Sequence, residues 1–396
     1  MGFIMIRVLE LFAGIGACSK ALERLDIEHE IVDAVEIDKY AIASFNAIHG
    51  TNFEPQDITK WDKDIECDLI MHGSPCQDFS VAGLGAGGDK DSGTRSSLMY
   101  ETLRIVEKLN PKYVIWENVK NLLSRKHRHN FDAYQEAMER LGYKNYYKVL
   151  NAKDYGVPQN RERVFTVSIQ EKERKYEWPS PIPLERRLKD MLEEKVDEKY
   201  YVSIKQLTGM ATTNYASYKL SKLLKGKNET ADTIKARFEG CPQMVSTGGT
   251  ELQREVCDEA LKKGLVKPND VMNTLKTHPQ GLGVTVETQE EPFIVASRGR
   301  NPENPNDRTV GNPTKQRLEP KFDGVTNTIT TVQKDNYVAT PYRIRKLTPR
   351  ECFRLMGFTD QDYNNAAKVC SDTQLYKQVG NSIVVNVLEG IIKNLI

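Results

Sequence analysis

Hydrophobic positions along the first 170 or so residues recur with two alternating periods. Short runs rich in β-branched and aliphatic residues, IRVLELF, EIVDAVEI, DLIM, YVIW and RVFTVSI, read as strands. Between them lie ACSKALERL, YAIASFNAI, SSLMYETLRIVEKL and FDAYQEAMERL, whose apolar residues return every three or four positions, as one face of a helix requires. In the third of these, Met99, Leu103, Val106 and Leu109 make one stripe. Alternation of strand and helix predicts an α/β fold with a doubly wound, mostly parallel sheet.

From about residue 171 the pattern dissolves. EKERKYEWPSPIPLERR is a charged, proline-bearing exit, and the stretch to about 341 mixes Gly, Asn, Thr and Pro with short strands and one helical segment, ELQREVCDEALKKG. Residues 297–317, SRGRNPENPNDRTVGNPTKQR, read as a long basic loop. Thr233-Ile234, Thr274-Leu275 and Thr328-Ile329 form a faint repeat, but unequal spacing excludes a solenoid. Regular patterning returns at Tyr342. TPRECFRLMGF carries a Thr cap, Pro at the first helical position and Gly357 as a stop. SIVVNVLEGIIKNL is too apolar to be left in water, so it is expected to dock back onto the first domain. Three segments result: a domain over 1–170, a smaller irregular β-rich domain over 171–341, and a returning segment over 342–396.

A net charge of +1 over 396 residues excludes a uniformly basic coat and leaves room for a local basic cleft. The seven cysteines include no C-x-x-C pair, so neither a metal site nor a disulfide framework is expected, and a reducing, cytoplasmic compartment fits. MGFIMI is interrupted by Arg7 and lacks a cleavage site, so it reads as a first strand. Ile6 stands where myristoylation would need Ser or Thr. No run approaches the roughly 20 apolar residues of a membrane span, so no membrane association is expected.

The candidate chemistry gathers at strand ends. In LELFAGIGACSKAL a strand enters a glycine turn and then a helix, where Gly14 and Gly16 allow close backbone approach and the first helical N–H groups are unpaired. Glu36, ending the next strand, is placed to accept hydrogen bonds from ribose hydroxyls. Ser19 replaces the third glycine of a dinucleotide fingerprint, which favours a smaller adenosine-containing ligand; a turn that only packs is the alternative. HGSPCQDFS delivers Cys76 to the carboxyl edge of the sheet behind Pro75, whose fixed φ stiffens the approach, and five glycines follow between Gly83 and Gly93. Such a thiol is either a nucleophile or a small buried hydrophobe. Glu117 and Asn118 end YVIWENV; if that strand runs parallel to DLIM, Glu117 faces the same substrate as Cys76, and otherwise it is a solvated loop acid. In QNRER, Arg161 and Arg163 could present planar forks to a phosphate or base carbonyl, or simply make surface salt bridges.

Taken in order, LFAGIGACSKAL, VEIDKYA, QDIT, GSPCQDFS, ENVKNLL, QNRER, RKLTPRECFRLMGF and QVGNSIVVN resemble the motif series of the DNA cytosine-5 methyltransferase family, of the prokaryotic and phage restriction–modification type. The likeness covers 1–170 and 342–396, and the variable region between falls where that family keeps its target recognition domain. It implies a Rossmann-like, S-adenosylmethionine-dependent catalytic domain. By that similarity Cys76 adds to C6 of cytosine, Glu117 contacts N3 and the exocyclic amine, and Arg161 and Arg163 hold the base carbonyl and a neighbouring phosphate. Phe12, Gly14, Gly16, Glu36, Asp57, Leu98 and Asn381 match positions lining the cofactor pocket, while Gln77, Asn118, Gln159, Thr328 and Ile329 match positions on the DNA side.

The resemblance further implies double-stranded DNA as partner, with the base extruded from the stack and a glycine-loosened lid over 77–97 that closes on it. Arg and Lys in 297–317 are expected phosphate contacts, and the three Thr–aliphatic pairs allow more than one recognition unit. A monomer is expected, nucleoid-associated in the cytoplasm and compatible with a separate cognate restriction endonuclease not held in a stable complex. The alternative is a tRNA cytosine-5 methyltransferase, whose usual Cys-Phe-Thr tripeptide is absent between 171 and 341. A binding protein without catalysis conflicts with the intact Cys76, Glu117, Arg161 and Arg163; an NAD-dependent oxidoreductase would leave Pro75-Cys76-Gln77 unexplained.

Overall fold

The computed structural model describes residues 5–75, 98–170, 174–201, 293–301, 304, 314–321, 325–329, 337–339 and 344–396. Five of its strands are the apolar runs read above: β1 (Ile6–Leu11), β2 (His29–Val35), β3 (Leu69–His72), β4 (Tyr113–Val119) and, last in the chain, Glu162–Ile169. Between the last two lies a strand the pattern did not announce, Lys144–Asn151, so these become β6 and β5. β5 is an outer strand, only Leu150 is buried, and without an apolar face it left no periodic trace. The sheet runs β2-β1-β3-β4-β6-β5. The first four strands are parallel, and β6 lies antiparallel between β4 and β5. β3 and β4 are parallel neighbours, with His72 opposite Trp116, so the Cys76 approach and Glu117 leave the sheet at one edge.

The helices are α1 (Ala17–Arg24), α2 (Lys39–His49), α3 (Met99–Leu109) and α4 (Arg128–Arg140), then α5 (Pro349–Leu355), α6 (Asp360–Ala367), α7 (Asp372–Asn381) and α8 (Val385–Leu395). The stripe expected on α3 is rotated: Met99, Thr102, Ile105 and Val106 are fully buried, while Leu103 and Leu109 flank the core. α5 begins as predicted. Thr348 and Glu351 form a reciprocal capping box, Pro349 opens the helix, and Gly357 follows with φ 85°.

The chain divides into two compact units. The first comprises Met1–Val196, Asp323–Gln333 and Leu347–Ile396. Its main core lies under β1, β3 and β4, with Trp116, Phe131 and Tyr134 fully enclosed. α8 packs on α1 and α6 on α2. Arg24 pairs with Glu389 at 2.8 Å, and the buried Lys20 ammonium reaches Asp362 at 2.8 Å.

The second unit, Asp197–Phe322 with Lys334–Lys346, holds a smaller antiparallel sheet. Its strands β7 (Phe293–Arg300), β8 (Lys315–Lys321), β9 (Tyr337–Ala339) and β10 (Ile344–Lys346) are ordered β10-β9-β7-β8. The loop expected over 297–317 is corrected here: its two ends are paired strands, with Arg298 opposite Arg317 and Arg300 opposite Lys315. Polar residues at both odd and even positions of the sequence hid the strand period. Among the described residues no helix is long and apolar enough to cross a membrane.

Candidate active site

β1 ends at Leu11, and the chain must turn at once to start α1. Phe12 takes φ 53°, a left-handed conformation that a bulky residue rarely adopts, and Gly14 and Gly16 follow at φ 57° and 79°. The resulting cleft is lined by Glu10, Phe12, Gly14 and Cys18 from this turn, Gly73 after β3, and Asn381 and Ile383 after α7. A Cβ on Gly14 would meet nothing within 4 Å, so the turn is open on that side. On Gly16 a Cβ would overlap the His49 ring and lie 2.8 Å from Phe45; this glycine is required by packing against α2. The Gly14 N–H donates to Glu36 at 3.1 Å, and Glu36 also receives Asp38 N–H at 2.8 Å. Burial pushes the Glu36 carboxyl upward despite these bonds.

Gly16 offers no side chain to cap α1, and Glu10 on β1 does that work instead. Its carboxyl accepts the Ser19 N–H at 2.9 Å and the Ser19 hydroxyl. Glu10 is buried, and desolvation raises its carboxyl to about 7 even though both bonds pull the other way.

Beyond β3 the chain continues Gly73, Ser74, Pro75; Cys76 and Gln77, like the rest of the expected lid over 77–97, lie outside the described residues. Ser74 is buried and heavily bonded. Trp116 Nε1 donates to its Oγ at 3.0 Å, while Asn118 Nδ2 donates to its carbonyl at 3.2 Å and its Oγ at 3.3 Å. Between those two residues Glu117 turns to the other side of β4, and a Cβ built on Gly73 would lie 3.6 Å from its Oε2. Arg163 Nε stands 3.0 Å from Glu117 Oε1. Burial still outweighs the two arginines nearby and raises the Glu117 carboxyl above its ordinary range.

Arg161 is placed differently from Arg163. Its guanidinium is buried and donates to the carbonyls of Ile329 at 2.8 Å, Ser382 at 2.7 Å and Gly380 at 3.4 Å. Gln159 is also buried; its Oε1 accepts Ile329 N–H at 2.9 Å, and its Nε2 donates to Leu355 O at 2.6 Å. Thr328 donates from Oγ1 to Asn160 O at 3.0 Å. The Thr328-Ile329 pair therefore lies within the first unit, laid along 158–161 and gripped by Gln159 and Arg161.

The structure thus brings Phe12, Gly14 and Asn381 into one cleft with Glu36 directly behind, and sets Glu117, Asn118 and Arg163 around the Cys76 approach. Asp57 spends its carboxylate on Thr59, whose N–H at 3.0 Å and hydroxyl at 2.8 Å lower its acidity range, and Leu98 packs on the main core. Thr233-Ile234 and Thr274-Leu275 lie outside the described residues. Sequence reasoning passed over Glu10, although a charge inside an aliphatic strand run was its signal. It also passed over Ile37, which is 71% exposed next to Glu36.

The family model for C-5 cytosine-specific DNA methylase matches residues 6–396. The orphan methyltransferase M.SPRI of Bacillus phage SPR is 34% identical, covering 99% of this chain and 97% of its own. The type II methyltransferase M2.ScrFI of Lactococcus lactis subsp. cremoris is 30% identical, over 99% of each. Among solved structures, the Dnmt2 methyltransferase of S. pombe superposes with a TM-score of 0.55 at 18% identity, over 98% of this chain and 97% of that one, a likeness of fold.

Proposed function

Because the chain belongs to the family of C-5 cytosine-specific DNA methylases, we propose that it methylates C5 of cytosine in double-stranded DNA through a transient bond between Cys76 and C6 of an extruded base. The observation that best supports the site assignment is the convergence at Gly73. This residue walls the cleft, lies against Glu117 and Ile383, and stands three positions before Cys76. That convergence supports a reading in which methyl donor, acid and thiol meet at one edge of the sheet.

The cleft suits S-adenosylmethionine. Gly14 leaves room beside the turn, Glu36 is held for a ribose, Ile37 offers a face for adenine, and Phe12 and Ile383 give apolar walls. Gly16 packs the turn against α2, and Asp57 and Leu98 are assigned to the same pocket on the family resemblance alone. When bound, S-adenosylmethionine supplies an electrophilic methyl carbon. Cys76, as thiolate, adds to C6, and Glu117, whose protonated form burial favours, gives its proton to N3 as electrons enter the ring. Arg163 holds Glu117, and its guanidinium is assigned to the base carbonyl. Once C5 carries the methyl group, its proton is lost to water, Cys76 leaves as thiolate, and N3 returns its proton to Glu117.

The second unit is assigned to target recognition. The register sets Arg298 opposite Arg317 and Arg300 opposite Lys315, and residues of one positive sign at paired positions support a reading of this sheet as a partner for a phosphate backbone. Thr328 and Ile329, with Gln77, Asn118 and Gln159, belong to the DNA side of the site. A monomer in the cytoplasm, with any cognate endonuclease as a separate protein, completes the reading. Methylation of tRNA is the second reading; the family match favours DNA, and the likeness to Dnmt2 bears on fold alone.

Mapping 5-methylcytosine in DNA from cells expressing the protein tests activity and target together. The native chain is expected to form a stable adduct with 5-fluorocytosine-substituted duplex, and Cys76→Ser to form none and to methylate nothing. Native-rate methylation by Cys76→Ser, or modification of tRNA in place of duplex DNA, would overturn the assignment.

A further inference from the structure

Four aromatic rings pack together around the strand ends that lead to Ser74. Trp116 is parallel to His72 within 7° at 5.7 Å, and it touches Tyr134 at 4.2 Å and Phe131 at 5.9 Å between ring centres. His72 Nε2 is 2.8 Å from the Tyr134 hydroxyl. Trp116 is only 2% exposed, so its indole has no room to rotate. The direction of its N–H is fixed, and the acceptor of that N–H is the Ser74 hydroxyl.

We infer that Ser74 and Trp116 are positioning residues for the thiol: their hydrogen bond, resting on the aromatic stack, sets where Cys76 stands relative to Glu117. This inference rests on the reading of Cys76 as nucleophile. Ser74 is anchored at both its hydroxyl and its carbonyl. Pro75 then contributes a fixed φ, so few free torsions separate the anchor from the next position in the sequence. The anchoring partners, Trp116 and Asn118, flank Glu117 on β4. Acid and thiol are therefore both referenced to one three-residue stretch of a central strand. A serine with one acceptor oxygen shared by two donors is a more exacting device than apolar packing, because its hydrogen bonds are lost over a few tenths of an ångström.

The test uses the full-length enzyme, tritium-labelled S-adenosylmethionine and unmethylated plasmid DNA. Ser74→Ala removes the acceptor, and Trp116→Phe removes the donor while keeping a ring in the stack. Each is expected to slow single-turnover methyl transfer, and trapping on 5-fluorocytosine duplex, by about 10- to 100-fold, the cost of a nucleophile displaced by a fraction of an ångström to an ångström. KM for both substrates should stay within about twofold, and the double variant should be no slower than the slower single, because both changes break the same bond. Rates within about twofold of native in both variants, additive losses in the double, or a loss matched by equal weakening of S-adenosylmethionine binding would overturn the inference. Failure of the native enzyme itself to form the 5-fluorocytosine adduct would instead remove Cys76 as nucleophile, and the inference with it.

Discussion

Glu10 and Glu117 are both buried carboxyls raised by desolvation, yet they serve opposite ends of the chemistry. Glu10 is structural: it replaces the missing cap of α1. Its folded value of about 7 exceeds the ordinary 4.5, so between these limits the folded chain binds more protons than the unfolded one. Stability from this group is complete below about 4.5 and declines as pH rises to about 7, a gap corresponding to ~3 kcal/mol. Glu10→Gln keeps an acceptor oxygen for Ser19 and removes the titration. In urea unfolding followed by tryptophan fluorescence, the variant should gain on the native chain across that window; parallel stability curves would refute the assignment. In the proposed mechanism Glu117 instead needs its proton for reaction. Glu117→Gln can still donate a hydrogen bond but cannot release a proton, so kcat should fall about 100-fold with cofactor binding unchanged in equilibrium dialysis. Native activity should decline as pH rises through the elevated Glu117 value, and the residual activity of the variant should lack that decline. Arg161 shows how far a motif can mislead about contact. QNRER revealed two forks on one side of an extended segment, but not that one would be spent on the carbonyls of Ile329, Gly380 and Ser382. Nothing local in a sequence encodes a partner more than 160 residues away.

Elements with one buried face could be read in advance, and those without could not. β1, β3, β4 and β6 carry apolar runs because both faces of a central strand are covered, and α1 to α4 show their periods because each lays a stripe on that sheet. β5, largely open on both faces, and the β7–β8 pair, with its run of arginines and lysines, gave no comparable signal. Site residues followed the same rule. Gly14, Glu36 and Glu117 were legible because they end strongly patterned strands, whereas the place of Thr328-Ile329 depends on tertiary contacts with 158–161. Caps carry their own chemistry and were plain. Thr348 receives the Glu351 N–H at 3.2 Å, and Glu351 returns the favour to Thr348 N at 2.8 Å. Thr348→Ala should therefore cost about 1 kcal/mol, read as a lower midpoint in urea with an unchanged slope; a changed slope would mean that more than the cap was lost.

At the scale of the molecule, the cleft proposed for the cofactor is assembled from ends of the chain that are far apart in sequence. Phe12 and Gly14 come from the first strand turn, and Asn381 and Ile383 from the returning segment. That segment is stitched in by Lys377 to Asp38 at 2.6 Å, Gln378 to the Tyr40 carbonyl at 2.9 Å, and Lys20 to Asp362. α8 adds Val385, Val387, Leu388, Ile391, Ile392 and Leu395, all buried. At about 2 kcal/mol for each such side chain, this helix contributes on the order of 10 kcal/mol, comparable with the whole stability of an ordinary domain. The first unit should therefore fail to form without it, although the sheet is encoded entirely before residue 170. Cutting between Lys346 and Leu347, at the boundary of the two units, tests this directly. All three tryptophans, Trp61, Trp116 and Trp178, belong to the first unit, so their fluorescence reports on it alone. Residues 1–346 by themselves should show the red-shifted emission of exposed indoles and should not bind S-adenosylmethionine. Co-expression with 347–396 should restore both properties, because the contacts that hold the segment are side-chain contacts that need no peptide bond at the cut. Native emission and cofactor binding by 1–346 alone would mean that the sheet closes its own core and that Asn381 and Ile383 are dispensable to the cleft.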